Sequence, residues 1–314
     1  MQRLAAKTRN SCYAVRVSEV HLSFGTPRKL PKAARLVGRV VVLDIAFAGQ
    51  AGAEFEHVTL PLIEGLGERL VAWIDHHDHE RHADFRGDAR FVLAKKSEHG
   101  ACPEMVTPDL VARFGPVDTV LCHTDFDGLA SAAKWLRQGI ESYAGCDDDA
   151  RAIDTRLGEP SERARGIDRA IRARPGDQVL MTAVVKYLAS GLADRQAEGV
   201  IVAAATELEP IERETERAAR GYRLFPRRQG GTAAYVDVTT GFGKLDKTDL
   251  LLRGQRQADI AIVVDQQNIA VAAPFDSGID FLSLLGLAGG MPTRVSLPRK
   301  QLHEVLDRLG VDFV

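Results

Sequence analysis

Leu70-Val71-Ala72-Trp73-Ile74-Asp75-His76-His77 is an unbroken apolar run that ends in one carboxylate and two imidazoles. Two other stretches are built the same way. Val40-Val41-Val42-Leu43 runs into Asp44, and Val117 to Cys122, broken only by Asp118 and Thr119, runs into His123-Thr124-Asp125-Phe126-Asp127-Gly128. Apolar runs of this length read as strands buried on both faces, as in a parallel α/β sheet. In such sheets the ligand site lies beyond the carboxyl ends of the strands. All three runs put their carboxylates and imidazoles there.

Outward from these runs, Gly128 to Leu136 reads as a helix opening at Gly128 and packing Leu129, Ala132, Ala133 and Leu136. Residues 161–173 and 178–190 also read as helices. Glu198 to Tyr222 reads as a long helical stretch interrupted at Pro210, with a charged centre that marks a connector. Beyond Leu224 the texture changes. Ala233 to Val238 and Asp259 to Val264 read as strands, and Ile269 to Ala273 pairs with the latter as a hairpin across Gln266-Gln267-Asn268. Arg299 to Leu309 reads as a terminal helix. The expected fold class is α/β: a Rossmann-like parallel-sheet domain followed by a smaller α/β domain with a mixed sheet. The expected division is an N-terminal segment 1–34, a catalytic domain 35–195, a helical connector 196–223 and a substrate-binding domain 224–314. Segment 1–34 is left as an edge strand or a partner-binding arm.

Composition narrows the class. The 314 residues are 45% hydrophobic and 27% charged, as in soluble globular proteins, which excludes collagenous and largely disordered chains. No apolar run approaches the roughly 18 residues of a membrane span. Met1 to Arg9 carries Arg3, Lys7 and Arg9 with no apolar stretch after it, which argues against a secretory signal. The net charge of −2 excludes a strongly basic nucleic-acid coat. Cys12, Cys102, Cys122 and Cys146 are far apart and form no C-x-x-C pair, so neither a disulfide framework nor a thiolate zinc site is supported. The expected compartment is the cytoplasm.

Asp44, Asp75, His76, His77, His123, Asp125 and Asp127 form one constellation of hard ligands with a few imidazoles and no thiolate. Such a set suits Mn²⁺ or Mg²⁺ better than structural zinc. Any one of these motifs alone is ordinary; a lone Asp-His-His is most often a surface loop. The combination at three strand ends is not. His79 and His82 extend the imidazole tract towards a zinc-hydrolase pattern, but Glu80-Arg81 stands where that pattern needs Asp-His. Both are read as lying outside the ligand set, and His99 as surface.

Asp75-His76-His77 after an apolar strand, with His123-x-Asp125-x-Asp127-Gly128 before a small-residue helix, resembles the DHH phosphoesterase superfamily, nearest to its RecJ-like exonucleases and nanoRNases. Asp44 resembles that family's second motif, and Ala152-Ile153-Asp154-Thr155 with Gly158-Glu159-Pro160 its fourth. The likeness covers roughly residues 38–175. It implies two Mn²⁺ ions, with Mg²⁺ as the substitute. One would be held by His123, Asp125 and Asp44, the other by Asp127, Asp44, His76 and Asp154. His77 would be the catalytic residue facing the substrate phosphate.

Two departures stand out. In most of the family H-x-D-x-D precedes DHH; here Asp44 and DHH come first, and Asp147, Asp148 or Asp149 competes with Asp154 for the fourth motif. The family's accessory domain also carries an Arg-bearing strand and a Gly-Gly-Gly-His loop. Here Gly289-Gly290-Met291-Pro292-Thr293-Arg294 keeps glycines without the His. Substrate binding is assigned to Gly289, Gly290 and Arg294, with Lys244, Lys247 and Arg253 as further cations. The expected activity is metal-dependent hydrolysis of phosphodiester bonds in short oligonucleotides or small nucleotides. The alternatives are a RecJ-type single-strand exonuclease, a non-catalytic scaffold of the same fold, and a zinc hydrolase using the His tract. The expected partner is a nucleotide or short oligonucleotide substrate, with no membrane; a homodimer is left open.

Overall fold

The computed structural model describes residues 20–50 and 53–312; Cys12 and the start of segment 1–34 lie outside them. β1 (His21–Phe24), β2 (Val40–Leu43), β3 (Leu70–Asp75), β4 (Phe91–Leu93) and β5 (Thr119–Cys122) make one sheet in the order β1-β5-β2-β3-β4. Every neighbouring pair is parallel. All three strands named by the apolar runs are present, side by side at the centre. β1, in the described part of segment 1–34, is an edge strand.

The reason for continuous apolar runs is visible in the two faces. Val41, Leu43, Ala72, Ile74, Val120 and Cys122 pack into one core with α3 (Phe126–Leu136), α5 (Glu162–Ala173) and α6 (Gln178–Ala189). Val40, Val42, Leu70, Trp73 and Leu121 pack into a second core with α1 (Phe55–Leu66). Helices α2 (Pro108–Phe114), α4 (Cys146–Thr155), α7 (Arg195–Thr206) and α8 (Leu208–Ala219) complete this part of the chain.

Of the helix boundaries that differ from the sequence reading, two bear on the site and the connector. α3 opens two residues before Gly128, with Asp125 as its N-cap accepting from the Gly128 amide at 3.3 Å. The long stretch after residue 195 breaks at Glu207 rather than at Pro210, which sits in the first turn of α8. A first-turn amide has no partner within the helix, so a proline there removes nothing.

The second sheet comprises β6 (Arg223–Pro226), β7 (Thr232–Asp237), β8 (Ile260–Val264), β9 (Asn268–Ala272) and β10 (Arg294–Pro298), in the order β10-β9-β8-β7-β6. Only β7 and β8 are parallel, so the sheet is mixed as expected. The β8–β9 hairpin closes through the Asp265 carboxylate, which accepts from the Gln267 and Asn268 amides at 2.7 and 2.9 Å. α9 (Lys247–Gln255) packs on this sheet, and α10 (Phe281–Leu285) and α11 (Leu302–Arg308) join its other core. Among the described residues no helix is long and apolar enough to cross a membrane.

The two sheets meet through a short antiparallel ladder, Gly289–Gly290 against Asp78–His79. The Ala288 amide donates to Gly49 O at 3.2 Å, and the Glu80 amide to Ala288 O at 3.0 Å. A Cβ on Gly289 would lie 2.2 Å from His79 Cδ2 and 2.7 Å from Asp78 O. Part of that obstacle is backbone and cannot rotate away. Gly289→Ala is therefore expected to destabilise by about 1–3 kcal/mol, the usual cost of overpacking. Urea unfolding checks this: an unchanged midpoint would mean that the ladder yields freely.

Candidate metal centre

β2 has β3 on one side and β5 on the other. The chain moves outward from β2 through β3 to β4, then returns to the far side of β2 as β5. That reversal is the switch point at which open α/β sheets bind ligands. Asp44 follows β2, Asp75 ends β3, and His123 follows β5, so the three strand ends converge on one place.

Asp44 is the hub. Its backbone amide donates to Ile74 O at 2.8 Å, extending the ladder, and its φ of 57° then turns the side chain inward. A left-handed non-glycine residue stores about 1–3 kcal/mol of strain. Aspartate tolerates it better than most residues. The carboxylate is wholly buried, with His76 Nε2 at 3.2 Å from Oδ1 and His123 Nδ1 at 3.7 Å from Oδ2. Neither oxygen has an aligned hydrogen bond. Desolvation, then the charges of Asp127 and Asp125, push this carboxyl above its ordinary value. Two orphaned carboxylate oxygens in an acidic cluster are costly alone and are what a divalent cation satisfies.

Gly128 allows the close approach. A Cβ there would meet His123 Cβ and O at 2.8 Å and Asp44 Oδ2 at 3.0 Å. Asp125 uses one oxygen as the cap of α3, while its other lies 2.7 Å from His123 Nδ1. Asp127, in the first turn of α3, brings Oδ2 to 3.3 Å from His76 Nε2. Against the cost of desolvation, His76 and Lys96 hold the Asp127 carboxyl well below the usual range.

His76 is fully buried, and its Nδ1 donates to His99 O at 2.8 Å. That bond aims Nε2 at the carboxylates, the arrangement metal-ligating histidines use. Desolvation and Lys96 oppose protonation of this imidazole, while Asp127 and Asp44 favour it. His77 differs. Its Nδ1 lies 2.8 Å from Asp75 Oδ1, and the ring remains partly exposed along the cleft wall. Asp75 is buried, and despite desolvation the His77 charge keeps its carboxyl below the ordinary range. Asp75 thus orients His77.

Three groups of side chains bring candidate ligand atoms within 4.8 Å of one another: Asp44, His123 and Asp125; His76, Asp127 and Asp154; and Asp44, His76 and His77. Asp154 reaches the centre from the last turn of α4. Its competitors are occupied elsewhere or exposed. Asp147 pairs with Lys134, Asp149 accepts from Tyr143 and Ser161, and Asp148 faces solvent. His79 and His82 belong to an aromatic cluster around Phe47, with His79 Nε2 hydrogen-bonded to Ala48 O at 3.1 Å.

Beside the centre lies a cleft of about 440 Å³ between the two sheets, lined by His77, Gly289, Gly290, Arg294 and Lys247 among others. Of the four cations expected there, Lys244 instead bonds Ala173 O and Arg253 pairs with Asp249 at 2.8 Å. Lys247 pairs with Asp265. Arg294 donates to Thr248 Oγ1 at 2.8 Å and keeps a solvent-facing surface.

Sequence reasoning missed three participants. Arg156, two residues after Asp154, has no hydrogen-bond or ion-pair partner among the described residues and feels the charges of Asp168, Asp246 and, more weakly, Asp125. The His99 carbonyl fixes His76. Lys96 lies inside the centre, and it follows a strand end exactly as the recognised residues do: β4 runs into Ala94-Lys95-Lys96. A lysine after a strand end belongs to no acidic or imidazole pattern, so its position carries no signal of a metal centre.

No family model and no curated protein matches this sequence. Among solved structures, a manganese-bound exonuclease RecJ aligns over 98% of this chain and 94% of that one, at 13% identity and a TM-score of 0.43.

Proposed function

We propose that this chain is a metal-dependent phosphoesterase of the DHH type, acting on phosphodiester bonds of short oligonucleotides or small nucleotides. The observation that carries the proposal is the cluster of Asp44, His76, His123, Asp125, Asp127 and Asp154 around the buried Asp44 carboxylate, which has no aligned hydrogen bond, beside His77, which lines a cleft. Asp44, His123 and Asp125 would hold one ion; His76, Asp127 and Asp154, with Asp44 between, form the second group. Mn²⁺ or Mg²⁺ bound there supplies Lewis acidity towards water and the phosphoryl oxygens.

The other residues act on the substrate. His77, braced by Asp75 through Nδ1, keeps Nε2 for a phosphoryl oxygen and stabilises charge as it develops there. Arg156 and Arg294 stand near Asp125 and suit the remaining phosphate oxygens. The cleft falls within the roughly 300–1,000 Å³ of small-molecule sites. A long polyanion is usually held by an extended basic groove, and a net charge of −2 favours a short substrate. We assign 35–195 as the catalytic unit, 196–223 as connector and 224–314 as the substrate-binding unit.

The Arg pair gives a test of its own. Arg156→Ala with Arg294→Ala should raise KM about 10-fold or more, since each charge-assisted hydrogen bond contributes roughly 1.5–3 kcal/mol. Steady-state kinetics reads this; an unchanged KM would remove both residues from the substrate. The reading as a whole is tested in Mn²⁺ with a labelled RNA trinucleotide and a long single-stranded DNA, using Asp127→Ala as control. Cleavage of the trinucleotide alone is expected. Stepwise shortening of the long strand would favour an exonuclease, and no cleavage of either would favour a scaffold.

A further inference from the structure

The second ligand group already contains a cation. Lys96 is 2% exposed, and its ammonium lies 2.9 Å from His76 Nε2 and bonds Asp154 Oδ2. His76 Nε2 is in turn 3.3 Å from Asp127 Oδ2 and 3.9 Å from Asp154 Oδ2. The ammonium thus touches two of the three ligands that a second ion would need, His76 and Asp154, and its charge acts on the third, Asp127. Its own amide is tied down, donating to Asp78 Oδ2 at 3.2 Å, and the Ala94 amide two residues earlier donates to Asp75 O at 2.9 Å. This backbone is fixed to the β3 side of the centre rather than hanging as a free loop.

Resting on the metal-centre reading above, we propose that Lys96 is the built-in cation of the His76–Asp127–Asp154 half. The protein then holds one tightly bound divalent ion, at Asp44–His123–Asp125, with the lysine charge in place of its neighbour. A divalent ion at hydrogen-bond distance from an ammonium is repelled. Retraction of Lys96 would leave a buried charge without its carboxylate. The two halves also differ in what they lack. Neither Asp44 oxygen has an aligned hydrogen bond, and its charge partners are imidazoles, whereas Asp154 is paired with a lysine. The lysine supplies one positive charge to neutralise a phosphoryl group. It offers no Lewis-acidic position for water, which leaves activation of the nucleophile to the Asp44–His123–Asp125 side.

The test is Mn²⁺ stoichiometry by equilibrium dialysis with metal analysis, and the spin coupling of bound Mn²⁺ pairs by electron paramagnetic resonance. It is run on the wild type, Lys96→Met and Lys96→Arg, with circular dichroism confirming the fold. The wild type and Lys96→Arg should bind one ion per chain without pair coupling. Lys96→Met should take a second ion at least 10-fold more tightly than the wild type and show coupled pairs. Two ions of comparable affinity in the wild type would overturn the lysine assignment while leaving the metal centre standing, whatever the variants do. Failure of the wild type to bind Mn²⁺ at all would overturn both.

Discussion

Asp44→Asn should abolish metal-dependent turnover while leaving the metal-free protein at least as stable as the wild type. Asparagine is, with aspartate, among the few residues at ease at a φ of 57°, so the turn after β2 survives the exchange. What is lost is the charge that faces His76 on one side and His123 on the other. Removing an outer partner of a metal ligand typically costs about 10–100-fold, and loss of the hub carboxylate should exceed that. The stability sign follows from burial. The folded pKa of Asp44 is raised by desolvation, Asp127 and Asp125. Its ionised form therefore opposes folding above the ordinary carboxylate value, and protonation relieves this as pH falls. In chelator, the variant's advantage should be largest near neutrality and shrink as the medium is acidified towards that value. Urea titrations of both proteins across that pH range check it. A variant less stable than the chelated wild type at neutral pH would show that Asp44 is not under electrostatic load.

His77→Ala should cut kcat by about 10²–10³, the range for losing one preorganised donor to a developing charge, with Mn²⁺ binding retained. His77 is the one imidazole here that is braced by a buried carboxylate and also lines the cleft. Its membership of a group with Asp44 and His76 offers the opposite role, as a ligand. Metal affinity separates the two. If His77→Ala lost the ion along with activity, the imidazole would be a ligand rather than a substrate-facing group. Asp75→Asn should act in the same direction more weakly, about 10–100-fold, by loosening the orientation of the ring.

The three central strands were legible because a parallel strand covered on both faces must be apolar throughout, and Val40–Leu43 and Leu70–Ile74 are. Their chemistry was legible for a related reason. Acidic and imidazole side chains placed directly after a buried run have nowhere to go but the sheet's carboxyl edge. Asp154 was harder, since its place depends on how α4 packs rather than on a strand end. The Gly289–Gly290 ladder could not be read, because two-residue strands carry no period and pair across about two hundred positions. The opening of α3 was misplaced because Gly128 looked like a helix boundary. Its absent side chain instead makes room for Asp44 and His123. Lys96 and Arg156 escaped for want of a pattern that treats cations as part of an acidic centre.

The most direct measurement is hydrolysis of a labelled RNA trinucleotide by chelator-treated protein as Mn²⁺ is titrated back, with Asp44→Asn alongside. The account predicts no product without metal, a saturable rise in rate with Mn²⁺ in the wild type, and no rise in the variant. Equal cleavage in the presence of chelator, or by Asp44→Asn at saturating Mn²⁺, would contradict it.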